Sequence, residues 1–430
     1  MQAGDGTPGS FSGEVVFLNH MTFLAFTYLR AELGSIRARH AFPMLLLVVA
    51  SACGSPSVDQ TAAESQATAT AALRFASLTA GRQFTCALDV DGIAWCWGSN
   101  RHGQLGLGDT LDRFVPTRLQ HSLRFVRIVA GEAHVCAVDS LAALHCWGDN
   151  REDALSDTTV RVQARPRTVP IRSVRDLASG ANFTCVIAGD ARTRCWGSDR
   201  HGERGDGGGS SAPTPVPTEV ETTTAFVSLV AGRAHMCALT AAGAAWCWGD
   251  GGALGDGTLT DRDAPVQVLG ERTFSSLTAG ESVTCGIAED ARAWCWGIAF
   301  EGQLGQGSPP RPNTFTPAPV AGSTRFRSLA AGRHRVCGLD TDGLAWCWGS
   351  NYNGALGNGS GVSELAPVRV AGDRRYLALA SGDFHACALD AEGAAWCWGE
   401  NTDARGGGAL GDGTVRSRAV PTRVASPGAS

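Results

Sequence analysis

The sequence contains no lysine; all 36 basic residues are arginine. That excludes a phosphate loop closed by a lysine and a Schiff base formed on a lysine amine. No block of like charge is present and the net charge is −5, so nucleic acid is not an expected partner. The apolar run from Ala41 to Ala50 is too short to span a bilayer. A Gly-x-Ser-x-Gly nucleophile turn and a His-Glu-x-x-His zinc helix are also missing, so no catalytic motif marks the chain as an enzyme.

What the chain does have is one stretch repeated seven times. Its first copy runs Cys86-Ala-Leu-Asp-Val-Asp-Gly-Ile-Ala-Trp-Cys96-Trp-Gly98. The two cysteines stand ten residues apart in every copy: Cys86 with Cys96, Cys136 with Cys146, Cys185 with Cys195, Cys237 with Cys247, Cys285 with Cys295, Cys337 with Cys347 and Cys387 with Cys397. From copy to copy the first cysteine advances by 48 to 52 residues. A period near fifty marks a repeat architecture, which overrides the two or three domains that length alone suggests.

Each copy reads as a β-hairpin. Phe84, Cys86 and Leu88 alternate with Thr85 and Ala87; after a polar turn, Ile93, Trp95 and Trp97 alternate with Ala94 and Cys96. With Cys86 opposite Cys96, the loop is Val90-Asp91-Gly92, whose last residue must enter the left-handed region. Glycine fills that slot at 92, 243, 343 and 393, and alanine in the other three copies. The cysteines then meet on a non-hydrogen-bonded pair, close enough for a disulfide. Two alternatives stand beside the disulfide. A metal site would recruit His134, His235 and His385, two residues before the first cysteine, but one repeat offers at most three ligands. Reduced, buried thiols are the other. Fourteen paired cysteines and a single Cys53 point to an oxidising compartment.

Residues 1–53 read as an export signal: Arg37 and Arg39 precede the apolar run, which ends Ala50-Ser-Ala-Cys53. The stretch ahead of Arg37 is longer than such a signal needs, so the true start is read as Met21 or another internal codon. Residues 54–72, rich in Ser, Thr, Ala and Gln, read as a flexible tether. The repeats fill 73–424 with four strand-length pieces each, and 425–430 form a short tail. A proline in the fourth piece confines it to an edge, so that strand is expected outermost. Seven four-stranded units suit an all-β, seven-bladed β-propeller. In the second repeat Ser140-Leu-Ala142 and Ala154-Leu-Ser-Asp157 replace the usual glycines, so irregular loops are expected there.

The pattern Ala-Gly, two residues, His-x-Cys-Ala-Leu, Asp-Gly, Trp-Cys-Trp-Gly, Asn-x-x-Gly-Gln-Leu-Gly closely resembles the regulator of chromosome condensation repeat family over about four-fifths of the chain. The resemblance implies a seven-bladed propeller and a binding platform. Members include a nucleotide-exchange factor for a small GTPase and a secreted bacterial inhibitor of β-lactamases. The exchange factor's inserted hairpin wedge has no room in repeats this evenly spaced, and its basic arm is replaced here by the signal and tether. Exchange activity is therefore not carried over. The end of the signal resembles a bacterial lipoprotein cleavage site, which implies lipidation at Cys53 and an outer-membrane or cell-surface location.

Asp89-Val-Asp-Gly92 fails as a calcium loop, because its first and twelfth positions would be Ala87 and Gly98. Leu-Gly-Asp-Gly-Thr at 254–258 and 410–414 lacks the nine-residue stacking period of calcium-binding repeats. No cofactor or metal is expected. The variable position after each Ala-Gly or Ser-Gly holds Arg82, Glu132, Ala181, Arg233, Glu281, Arg333 and Asp383, with Phe84, Phe183 and Phe384 nearby. These loops should gather at one mouth of the channel. The reading is a monomeric, exported, lipid-anchored scaffold that binds a protein through that face, with Arg82, Glu132, Arg233, Glu281, Arg333 and Asp383 at the site. The rivals are a lyase or hydrolase using the channel, and a structural envelope protein without a defined ligand.

Overall fold

The structure, a computed structural model, describes residues 73–427 except 210, 308–312 and 404–405. The stretches read above as an export signal and a tether, Cys53 among them, lie outside the described residues. The first blade comprises β1 (Phe75–Ala80), β2 (Phe84–Asp89), β3 (Ala94–Gly98) and β4 (Arg113–Arg118), paired antiparallel in that order. Six further four-stranded sheets repeat the order, which makes the seven-bladed propeller expected from the repeats. Every fourth strand carries proline (Pro116, Pro166, Pro213, Pro265, Pro317, Pro367 and Pro421) and stands at a sheet edge, since a residue without an N–H cannot serve a further neighbour.

The hairpin register is the expected one, with Cys86 opposite Cys96 and Asp89 N–H donating to the Ile93 carbonyl at 2.9 Å. Seven disulfides close the seven hairpins among the described residues. Cys86 is bonded to Cys96, Cys136 to Cys146, Cys185 to Cys195 and Cys237 to Cys247. Cys285 is bonded to Cys295, Cys337 to Cys347 and Cys387 to Cys397. The Cα–Cα distance is 4.0 or 4.1 Å in every pair. This removes the cysteines as metal ligands and as free thiols.

Gly92 stands at φ +74°, and where the slot holds alanine the backbone keeps the conformation: Ala142 at 60°, Ala191 at 65° and Ala291 at 64°. A left-handed alanine costs about 1–2 kcal/mol, partly offset by glycine's greater freedom in the unfolded chain. Ala142→Gly should therefore stabilise by about 0.5–1 kcal/mol, read as a shift in denaturant midpoint at constant slope.

The second repeat corrects the expectation of irregular loops. Asp153 (φ 60°) and Ser156 (φ 57°) occupy the places of Gly103 (70°) and Gly106 (74°). Their backbone N–H groups make the same bonds, and Leu155 N–H reaches Asn150 Oδ1 at 2.9 Å as Leu105 N–H reaches Asn100 Oδ1. Asn150 is retained, and its side chain holds the loop in shape without the glycines.

Blades are joined by buried tryptophans. Trp97, Trp147, Trp196, Trp248, Trp296, Trp348 and Trp398 are all fully buried. In six of them the indole N–H donates to a loop carbonyl of the preceding blade, as Trp147 does to Gln104 and Trp296 to Ala253. The bond from Trp97 to the Ala409 carbonyl, 2.9 Å, joins the first blade to the last. Phe75 N–H reaches the Gly393 carbonyl at 2.8 Å, and Phe75, Leu78 and Val424 share one apolar cluster. The ring is closed.

A second contact matches each blade to its neighbour. The residue opening each second strand is Phe84, His134, Phe183, His235, Val283, Arg335 or His385. Each histidine meets a threonine of the next blade through Nε2: His134 with Thr184 (3.1 Å), His235 with Thr284 (2.9 Å) and His385 with Thr85 (2.8 Å). Where the first residue is Phe84, Phe183 or Val283, the next blade supplies Val135, Met236 or Val336 in the same apolar cluster. In these six seams polar meets polar and apolar meets apolar. At the seventh, Arg335 stands opposite Ala386 and donates instead to backbone carbonyls of the next blade, Gly382 and Asp383. These histidines, weighed above as metal ligands, are structural.

Candidate functional site

The innermost strands end in Ala-Gly or Ser-Gly, and there the seven blades crowd together. A Cβ on Gly81 would stand 2.7 Å from the Gly131 carbonyl oxygen. The same close approach runs from Gly131 to Gly180, Gly232, Gly280, Gly332 and Gly382, and closes with 2.1 Å from Gly382 to the Gly81 carbonyl. Only glycine fits a throat this tight. The following turns are tied blade to blade by backbone bonds, Arg82 N–H to the Glu132 carbonyl (3.1 Å) and Arg233 N–H to the Gly280 carbonyl (3.0 Å) among them. The cavity they enclose measures about 110 Å³, room for a few waters.

All six charged residues singled out from the repeats lie at this mouth, and five of them form one chain of ion pairs. Arg82 meets Glu132 at 2.8 Å, Glu132 reaches Arg233 at 3.9 Å, Arg233 meets Glu281 at 2.9 Å, and Glu281 takes Arg333 at 2.6 Å. Ala181 sits between Glu132 and Arg233 and breaks the alternation. Asp383 completes the circle between Arg333 and Arg82 without an ion-pair partner among the described residues. Desolvation, aided by Glu132, pushes its carboxyl up to about 6 against the pull of Arg82 and Arg333.

The face around the mouth is two-sided. Over the first three blades it is charged: Arg82, Arg101, His102, Glu132, Asp149 and Arg151 line a groove of about 550 Å³. Over the last three it is aromatic. Phe300 and Tyr352 are 63% and 66% exposed, Phe300 packs edge-on against His334 at 5.5 Å, and the Arg333 guanidinium lies 5.5 Å from the Phe384 ring centre. Phe384 stands out in the sequence beside the variable position. Phe300 and Tyr352, in the long loop between the third and fourth strands, do not. The signal that could have found them is that both put an aromatic residue at the first free position of the Asn-x-x-Gly stretch, where Arg101, Arg151 and Arg200 stand in the first three repeats.

Among the described residues no group of three or more His, Cys, Asp and Glu is placed to hold a metal ion. Nor is any helix there long and apolar enough to cross a membrane.

Residues 49–324 match the model of the RCC1-like domain, and 326–355, 342–389 and 376–404 match models of the regulator of chromosome condensation (RCC1) repeat. The chain belongs to the RCC1-like family. Among curated relatives, the ultraviolet-B receptor UVR8 of Arabidopsis thaliana is 25% identical over 198 residues, 44% of this chain and 45% of that protein. The mitochondrial RCC1 domain-containing protein RUG3 of the same plant is 30% identical over 177 residues, 41% of this chain and 29% of that protein. The chain thus spans less than half the length of these two relatives. Among solved structures, Prp20p of Saccharomyces cerevisiae superposes with a TM-score of 0.68 at 21% identity, covering 83% of this chain and 88% of that one. Human WBSCR16 gives 0.69 at 19%, covering 78% and 94%. At these identities the likeness is one of fold.

Proposed function

We propose that this RCC1-like propeller is an exported scaffold, anchored to the cell envelope by a lipid on Cys53, that binds a protein partner through the face around the channel mouth. The observation that carries the reading is the contrast between frame and rim. Glycines, tryptophans and disulfides recur from blade to blade, while the mouth varies among Arg, Glu, Ala and Asp and exposes Phe300 and Tyr352 beside arginines. Variable loops on a rigid scaffold are where binding is carried, and aromatic and arginine side chains dominate interface energetics. Prp20p, the yeast relative by fold, is described with binding properties to Gsp1p and histones, and it has been crystallised with Kap60. The throat of about 110 Å³ argues against a substrate passing along the axis, as a channel enzyme would require.

The test is a capture from envelope extract with the protein and with Arg82→Ala/Arg233→Ala/Arg333→Ala. The triple variant should fold normally, because exposed ion pairs add about 0–1 kcal/mol each. It should bind the captured partner weaker by at least about 2 kcal/mol, roughly thirtyfold. Full binding by this variant would place the interface elsewhere. For the anchor, Cys53→Ser should release the protein from the membrane fraction. A variant that stays membrane-bound with its leader uncut would show that another element holds it.

A further inference from the structure

We propose that the pocket where the last three blades meet at the mouth receives one cationic side chain, arginine or lysine, of the protein partner. The inference rests on reading this face as the binding face and specifies what it recognises. The pocket measures about 290 Å³ and is lined by Glu301, His334, Tyr352, Asp383 and Phe384, with Ser350 at its side. That lies at or below the lower end of small-molecule sites and suits a single long side chain.

Its charge selects the sign of the guest. Among the described residues, neither Glu301 nor Asp383 has an ion-pair partner, whereas Glu132, Glu281 and Asp149 on the same face each hold an arginine. Arg335 also borders the pocket, but its guanidinium is turned inward. It donates to the carbonyls of Asp383 (2.9 Å), Gly382 (3.1 Å) and His385 and to Ser381 Oγ (3.2 Å). His334 adds no charge at neutral pH, because burial holds its imidazole below the ordinary value. Arg82 and Arg333 also act on Asp383, but each is already paired, with Glu132 and Glu281. Glu301 and Asp383 against the Arg335 guanidinium therefore leave one negative charge in excess. A guest cation neutralises it and gives Asp383 the ion pair that it lacks.

The walls suit the rest of such a side chain. Tyr352 and Phe384 offer ring surface to an aliphatic stem and π faces to a cation. Phe384 already takes the Arg333 guanidinium at 5.5 Å. Phe300, edge-on to His334, stands beside the pocket as further apolar contact for a partner chain. An anionic guest would meet Glu301 and Asp383 head on.

The test uses fluorescein-labelled Gly-Ser-Gly-Arg-Gly-Ser-Gly, the same peptide with neutral citrulline for arginine, and a lysine/acetyl-lysine pair. Anisotropy is read against the full-length protein at low salt. The charged peptide of each pair should bind at least tenfold tighter than its neutral twin. Glu301→Gln/Asp383→Asn should abolish that preference. Asp342→Asn/Asp373→Asn, which removes the same charge from exposed positions, should retain it. Tyr352→Ala, in an exposed loop, should weaken the charged peptides severalfold without altering the circular dichroism. Equal binding of charged and neutral peptides, absence of binding by both, or a preference that survives the double pocket variant would overturn the proposal. If the captured partner binds the pocket variants normally yet is lost by the Arg82/Arg233/Arg333 variant, the pocket is refuted and the face stands.

Discussion

Denatured and reduced protein is expected not to refold, whereas the native protein withstands the same reductant. Each disulfide closes a loop of about ten residues within one hairpin, so the seven constrain separate parts of the unfolded chain. Each contributes about 2–3 kcal/mol by restricting the unfolded state, together on the order of 15–20 kcal/mol. That exceeds the roughly 5–15 kcal/mol net stability of a folded domain. All fourteen paired cysteines are fully buried, so reductant has to wait for an opening of the structure. Thiol counting after incubation with dithiothreitol, with and without guanidinium, checks both halves. Rapid reduction of the native protein, or recovery of native circular dichroism by the reduced chain, would contradict the expectation.

The second large effect is acid destabilisation from three buried histidines. Thr85, Thr184 and Thr284 each donate their hydroxyl proton to a carbonyl, of Ala409, Ala154 and Ala253. Each therefore accepts from histidine Nε2–H, which places the lone pair on Nδ1. For His235 and His385 that Nδ1 has no partner, so protonation would bury an unpaired N–H. Desolvation accordingly holds His134 and His235 down to about 4 and His385 to about 3. The unfolded chain takes up these protons near pH 6.5 and the folded one near 3–4. The stabilising contribution is therefore complete above pH 6.5 and declines as the pH falls toward 4, by on the order of 3 kcal/mol for each histidine at pH 4. Replacing the pairs by Phe and Val, the chemistry that Phe84 and Val135 already use, should flatten the profile between pH 6.5 and 4. Chemical denaturation across that range decides it. Parallel curves for the protein and the six-fold variant would assign the acid sensitivity to other groups.

How much of the structure is legible in the sequence depends on how far apart the partners lie. Cys86 and Cys96 ride one hairpin with a three-residue loop, so register, disulfide and left-handed turn all follow from local alternation. The blade count follows from the period, and the outer strand from Pro116 and its equivalents. The His–Thr pairs escape a sequence reading, although both members are in plain view. Thr184 stands 50 residues after His134, and the pairing shows only once each second strand is known to face its successor in the next blade. The ion-pair chain escapes for a related reason. Arg82, Glu132, Arg233, Glu281, Arg333 and Asp383 read as mixed charge at one mouth, but side-chain reach decides which join, and Asp383 is the one left over. The second repeat misleads because its missing glycines suggest a broken loop. Asn150, which does the holding, is present in the sequence but carries no weight until the loop is seen to wrap around it.

The most direct test of the binding face is hydrogen–deuterium exchange on the propeller alone and with its captured partner. A binding face at the mouth predicts slowed exchange at 82–84, 132–134, 300–304, 350–354 and 382–385, with Phe300 and Tyr352 inside the footprint. The far side has apolar exposure of its own, Val90 at 64% and Leu141 at 87% on the hairpin turns. Protection confined to 90–92, 140–142 and their equivalents, with the mouth loops exchanging as in the free protein, would contradict it.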